Sequence, residues 1–147
     1  MMYHVCADQK AMPSLRVLIV EDEALISLLI QSIVCDLGHQ AVGCAYSVGQ
    51  ALALLEKIAE STDAALLDVN LGGNLVFPVA EALTARAIPF AFLTGYGALG
   101  IPERFAHATV MQKPFTDKDV AFAVDALRRE CLSADSQAER ARALAAV

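Results

Sequence analysis

Glu21 and Asp22 close the apolar run from Leu15 to Val20, and Asp68 closes a second from Ala64 to Leu67. Thr94 follows the run Pro89 to Leu93, and Lys113 stands just past Thr109 to Met111 and before Pro114. Four short β-like runs thus each end in polar residues suited to phosphate or metal chemistry. A carboxylate can attack a phosphoryl group and hold it as an acyl phosphate. Because phosphoryl transfer gathers negative charge on several oxygens, such a nucleophile needs a cation between itself and the incoming group. Neighbouring carboxylates suit Mg²⁺, a small hard ion that takes oxygen ligands and keeps several waters. A lysine ammonium and a threonine hydroxyl can bond the remaining phosphoryl oxygens. In a parallel α/β sheet the carboxyl ends of the strands lie along one edge, so residues far apart in sequence would meet in one cleft. Any one of these residues alone reads as an ordinary turn or strand end, and only their repeated placement points to a site.

The elements that must position them follow from hydrophobic period. The first 14 residues have no sustained period and read as a loose leader. Leu15 to Val20 reads as a buried parallel strand, a run apolar but for Arg16 near its start. Ile26, Leu29, Ile30, Ile33 and Leu37 then keep the spacing of a helical face, and Gly38 sits where helices end. Gln40 to Ala45 gives a second strand, and Ser47 with Gln50 a capping box ahead of Val48, Ala51, Leu52, Leu55, Ile58 and Ala59. Asp63 to Asp68 is the third strand, followed by a loop from Asn70 to Asn74 tolerant of unusual backbone angles. Pro78 fits a first helical turn, with Val79, Leu83 and Ala87 facing inward. Phe90 to Leu93 is the fourth strand, but Gly95, Gly97, Gly100 and Pro102 leave any helix from Ala98 to Phe105 short or unstable. Val110 to Gln112 ends the fifth, and Thr116 with Asp119 caps a last helix carrying Val120, Ala123, Val124 and Leu127 inward. Five βα units over 15–131 are expected, with 132–147 a marginal helix or mobile tail.

Composition sets outer limits. At 147 residues, 56% of them hydrophobic, the chain has material for one closed core. Ser27, Gln31, Ser32 and Asp36 interrupt the longest apolar stretch, so no membrane span is expected. Met1 to Met12 lacks the apolar region of a secretory signal, which points to a cytoplasmic protein. A net charge of −6 with scattered basic residues argues against a nucleic-acid surface. Cys6, Cys35, Cys44 and Cys131 are too widely spaced for a C-x-x-C metal site and read as buried or incidental thiols. His4, His39 and His107 have no catalytic partner pattern and are expected on surfaces or loops.

Over about Leu15 to Cys131 the chain resembles the response-regulator receiver domains of two-component signalling. The motifs are ordered: the acidic pair in VLIVEDE, the acid in ALLDVNLGG, the threonine in FLTGYG and the lysine in QKPF. PFAFLTGYG resembles, more narrowly, the motif of the FAT GUY group of stand-alone receivers, with Leu93 where alanine is usual. The resemblance implies a doubly wound, flavodoxin-like α/β/α fold, its five-stranded parallel sheet in order 2-1-3-4-5, as in the chemotaxis receiver. It implies Asp68 as phosphoacceptor, Glu21, Asp22, Asp68 and the Asn70 carbonyl as Mg²⁺ ligands, and Thr94 and Lys113 as phosphoryl contacts. The implied phosphodonor is a histidine kinase or histidine phosphotransfer protein.

Two departures stand out. Many receivers carry an aromatic residue three places before the lysine, where this chain has Val110, and Tyr96 or Phe92 are the nearby candidates to replace it. Glu21 stands where many have Asp, and the longer carboxylate can still ligate Mg²⁺. Three functions compete. The favoured one is a stand-alone receiver, without an output domain after Cys131, that signals through an unknown downstream protein or serves as a phosphate sink. A phosphorylation-independent interaction module of the same fold is the alternative. A phosphohydrolase of the haloacid dehalogenase type would need a second Asp where Asn70 stands, so no enzyme turnover is expected. The oligomeric state is left open.

Overall fold

The computed structural model describes residues 14–145, so the expected leader lies almost wholly outside the described residues. Five parallel strands, β1 (Arg16–Val20), β2 (Gln40–Ala45), β3 (Ala64–Asp68), β4 (Phe90–Thr94) and β5 (Thr109–Gln112), form one sheet in the order β2-β1-β3-β4-β5. The helices are α1 (Ala24–Asp36), α2 (Val48–Ile58), α3 (Phe77–Ala85) and α4 (Asp117–Ala145). This is the flavodoxin-like, doubly wound arrangement expected from the sequence.

Successive strand residues point to opposite faces, and this period of two sorts the core into two layers. Val17, Ile19, Ala64, Leu66, Ala91 and Leu93 pack with α1 and α4. Leu18, Val20, Ala65, Leu67, Phe90 and Phe92 pack with α2 and α3. Because both faces are covered, β3 and β4 are buried at every position, which is why the sequence shows continuous apolar runs there.

Caps fix the helix ends. Ser47 Oγ accepts from the Gln50 N–H, while Gln50 Oε1 reaches back to the Tyr46 N–H. Thr116 and Asp119 make the reciprocal box at the start of α4. After α1, Gly38 takes φ 88, and the Gly38 and His39 N–H groups bond the Cys35 and Val34 carbonyls, a Schellman closure.

Two helical faces differ from expectation. In α1 the buried residues are Ser27, Ile30, Ile33 and Val34, while Leu29 is 46% and Leu37 40% exposed. The inward stripe is rotated toward Val34, which packs with Ile30 on β1 and α4. Ala87 is exposed rather than in the core: it lies one residue past the α3 cap, at φ 57, and its N–H closes on the Thr84 carbonyl. The glycine-rich fourth crossover holds no α-helix, only a 3₁₀ turn, Glu103–Phe105. Its large anchor is Phe105, 3% exposed and in ring contact with Phe77, Phe90 and Phe92 at centroid distances of 5.8–5.9 Å. Within the loop after β3 lies a hairpin of two-residue strands, Asn70–Leu71 and Asn74–Leu75, too short to leave a hydrophobic period. Of the two readings of the C-terminal segment the helix is the one found, since α4 runs through Cys131 to Ala145 without a break.

Candidate functional site

Four strand ends build one acidic cleft. β1 delivers Glu21 and Asp22, β3 delivers Asp68, β4 delivers Thr94 and β5 delivers Lys113. Pairing sets Val20 opposite Leu67 and Asp68 opposite Leu93, and the Lys113 N–H donates to the Thr94 carbonyl at 2.8 Å. Residues up to 92 positions apart in sequence are thereby brought into contact: Lys113 Nζ donates to Glu21 Oε1 at 3.2 Å and to Asp68 Oδ2 at 3.1 Å. The Lys113–Pro114 peptide bond is cis.

Glu21 is fully buried and Asp68 is 4% exposed. Burial pushes the Glu21 carboxyl up to about 7; the Glu23 N–H opposes this, and neighbouring Asp68 adds to it. Burial also raises the Asp68 carboxyl, against the pull of Glu21 and Lys113. Two enclosed carboxylates side by side cannot both ionise at no cost, and both carboxyls are held above their ordinary range. Burial disfavours the Lys113 cation, but Asp68 and Glu21 outweigh it and hold the ammonium above its ordinary range.

Carboxylate oxygens of Glu21, Asp22 and Asp68 all lie within 4.8 Å of one another. Three acids, two of them bonded to Lys113, gather oxygen ligands and negative charge, which fits a hard divalent cation such as Mg²⁺. Asn70 lines the same cleft; its N–H donates to Asp68 Oδ1 at 3.3 Å, and its own Oδ1 accepts from the Gly73 N–H at 2.7 Å. Thr94 is buried, and its hydroxyl accepts from the Tyr96 N–H at 3.1 Å. A hydroxyl that accepts one bond still has its own hydrogen to donate.

Other residues of the same motifs, given no role in the sequence reading of the site, also join the cleft. Glu23 lines it, as do Gly72, Gly73, Gly95 and Tyr96. From the sequence Glu23 reads as a helix-start residue, and it does hold the cap position of α1, without a side-chain cap bond. Its N–H also fixes Glu21 Oε2 at 3.0 Å. Phe92 belongs to the core, and Val110 packs against the same layer. Tyr96 is 76% exposed.

An acidic triad beside a lysine, at the carboxyl edge of a 2-1-3-4-5 sheet, defines the class, and similarity to solved structures agrees. SdrG from Sphingomonas melonis Fr1 is 46% identical, the match covering 78% of this chain and 96% of SdrG with a TM-score of 0.68. The receiver domain of the PhyR response regulator of Erythrobacter litoralis is 30% identical over 80% of this chain and 92% of that domain, with a TM-score of 0.66. The chain belongs to the response-regulator receiver domains. The likeness to SdrG and PhyR is consistent with the FAT GUY reading of PFAFLTGYG. The curated relative, the phyllosphere-induced regulator PhyR of Methylorubrum extorquens, is 29% identical over 113 residues, and the chain spans 40% of its length. No family model matches the chain. Among the described residues, no helix is long and apolar enough to cross a membrane.

Proposed function

We propose that this protein is a stand-alone, cytoplasmic response regulator that accepts a phosphoryl group on Asp68 from a histidine kinase or histidine phosphotransfer protein. The observation that carries the reading is the contact of Lys113 Nζ with both Glu21 and Asp68 at the mouth of one cleft. An Asp68 oxygen attacks phosphorus, the new O–P bond forms as the donor's P–N bond breaks, and the imidazole leaves with that electron pair. Glu21, Asp22, Asp68 and the Asn70 carbonyl would hold Mg²⁺, which when bound supplies positive charge between the carboxylate and the incoming group. Lys113 then turns from Glu21 Oε1 to a phosphoryl oxygen, and the Thr94 hydroxyl donates to another. The output is a change of surface read by a protein partner, or simple withdrawal of phosphate from the donor. Asn70 supplies no acid for returning a proton to a leaving alcohol, so sustained hydrolysis of phosphate esters is not part of this function.

Support for the reading includes a relative, 45% identical, whose structure is the BeF3-activated conformation of SdrG. BeF3 is a trigonal anion that stands in for a phosphoryl group. PhyR of Bartonella quintana is an anti-anti-sigma factor, matched over 56% of its length, which favours protein partners downstream. Val110, where receivers often have an aromatic, favours a second reading: an interaction module that works unphosphorylated. Phosphotransfer profiling against the purified histidine kinases of the source organism separates the two. One kinetically preferred donor, active on wild type and inactive on Asp68→Asn, is expected. Partner binding with no transfer from any kinase supports the module instead.

A further inference from the structure

At the edge of the sheet remote from Asp68, the buried Leu15 N–H donates to His39 Nδ1 at 2.9 Å. A backbone N–H shielded from water needs an acceptor, and the ring nitrogen supplies it only while it carries no proton. Neutral His39 therefore holds its hydrogen on Nε2. We propose that His39 is a proton-operated latch at the entry of β1 into the sheet, releasing the Leu15 amide when the imidazole becomes charged.

Protonation places an N–H on Nδ1 facing the Leu15 N–H at hydrogen-bond distance, so two donors confront each other and must separate. The charged groups that face the ring come from α4: Arg128, which disfavours the imidazolium, and Asp125, which favours it. Those two are held together at 2.8 Å, so Asp125 is already engaged. Burial first, and then Arg128, keep the imidazole below its ordinary range against the pull of Asp125. A base held low contributes stability above its unfolded value of about 6.5, and that stability is lost as pH falls through the folded value.

Release should stay local. The Leu15 carbonyl accepts from the Gln40 N–H at 2.8 Å, and Arg16 donates to Asp63 from its backbone and its guanidinium, so the register of β1 survives. Along β1 the six steps from Leu15 to Glu21 span roughly 20 Å at ~3.3 Å per residue. The latch thus acts on the Leu15 amide without touching the acidic cleft.

Nuclear magnetic resonance of the ¹⁵N-labelled full chain between pH 7.5 and 5 tests this, reading the His39 ring nitrogens and the exchange protection of the Leu15 amide, corrected for intrinsic rate. His39→Gln keeps an oxygen acceptor and removes the titration. The expected result is an Nε2–H tautomer at neutral pH and a fall of about tenfold in Leu15 protection as His39 protonates, the size of one lost hydrogen bond. Val17 to Val20 should be unchanged, and His39→Gln should hold Leu15 protection flat. An Nδ1–H tautomer, or Leu15 protection indifferent to the His39 titration, would overturn the proposal, as would the same loss in His39→Gln. If that variant fails to fold, the wild-type tautomer and amide readings decide alone.

Discussion

Lys113 holds together two buried carboxyl groups that would otherwise repel each other, so its removal acts on both the resting site and the phosphorylated one. Lys113→Ala should lower the rate of phosphotransfer, or the conformational response to it, by about ten- to a hundredfold, the worth of a charge-assisted hydrogen bond at ~1.5–3 kcal/mol. Rapid-quench transfer from a phosphorylated donor checks this; unchanged rate and unchanged phosphorylated conformation would contradict the role. Glu21 gives a pH signature. An acid raised to about 7 by burial contributes stability at pH below its unfolded value, and loses it as pH rises through 7. Mg²⁺ competes with that proton, so added Mg²⁺ should raise the melting temperature more at pH 8 than at pH 6. Equal shifts at the two pH values would contradict the raised Glu21 carboxyl. The acids, Thr94 and Lys113 are legible in the sequence because each sits where an apolar run stops. The His39 acceptor is not, since a ring 24 positions from Leu15 in sequence leaves no periodic trace of the contact.

Apolar runs locate the strands of the main sheet, because helices cover both of its faces, and helical spacing locates the α-helices that cover them. It fails where a single backbone torsion or one rotation decides the outcome. α1 presents Leu25, Leu28 and Leu29 outward, and its apolar residues are too many for spacing alone to choose the inward stripe. The helical offset of Ala87 points it inward, yet α3 stops before it and leaves it in the left-handed region. A side chain there carries a strain of ~1–2 kcal/mol that glycine escapes, less the extra freedom glycine has when unfolded. Ala87→Gly should therefore stabilise the protein by about 0.5–1 kcal/mol, seen as a raised urea midpoint with unchanged slope; a lowered midpoint would contradict the torsion. The crossover after β4 is the other such place. Gly95 and Gly97 let the chain follow Thr94 when its hydroxyl turns to the phosphoryl group, and Tyr96 is already exposed. Amide exchange with and without BeF3 should show protection rising from Gly95 to Phe105, and protection unchanged there would refute a switch through this segment.

Across the whole molecule the two core layers close around 15–131, and α4 continues past them. Beyond Leu132 the residues of α4 with described side chains are exposed, and a helical segment of that length is marginal in water without a partner. Deleting 133–147 should shift the melting temperature by no more than about 2 °C, less than ~1 kcal/mol for a chain of this size. A large fall would make the segment an integral part of the core. The role of the whole molecule turns on where phosphate goes. Labelling the full chain with acetyl phosphate and Mg²⁺, reducing the acyl phosphate with borohydride and mapping the product by mass spectrometry reads that directly. The expected result is reduction at Asp68 alone, absent in Asp68→Asn and absent when Mg²⁺ is chelated. Modification at another residue, or equal labelling of the folded Asp68→Asn variant, would contradict it.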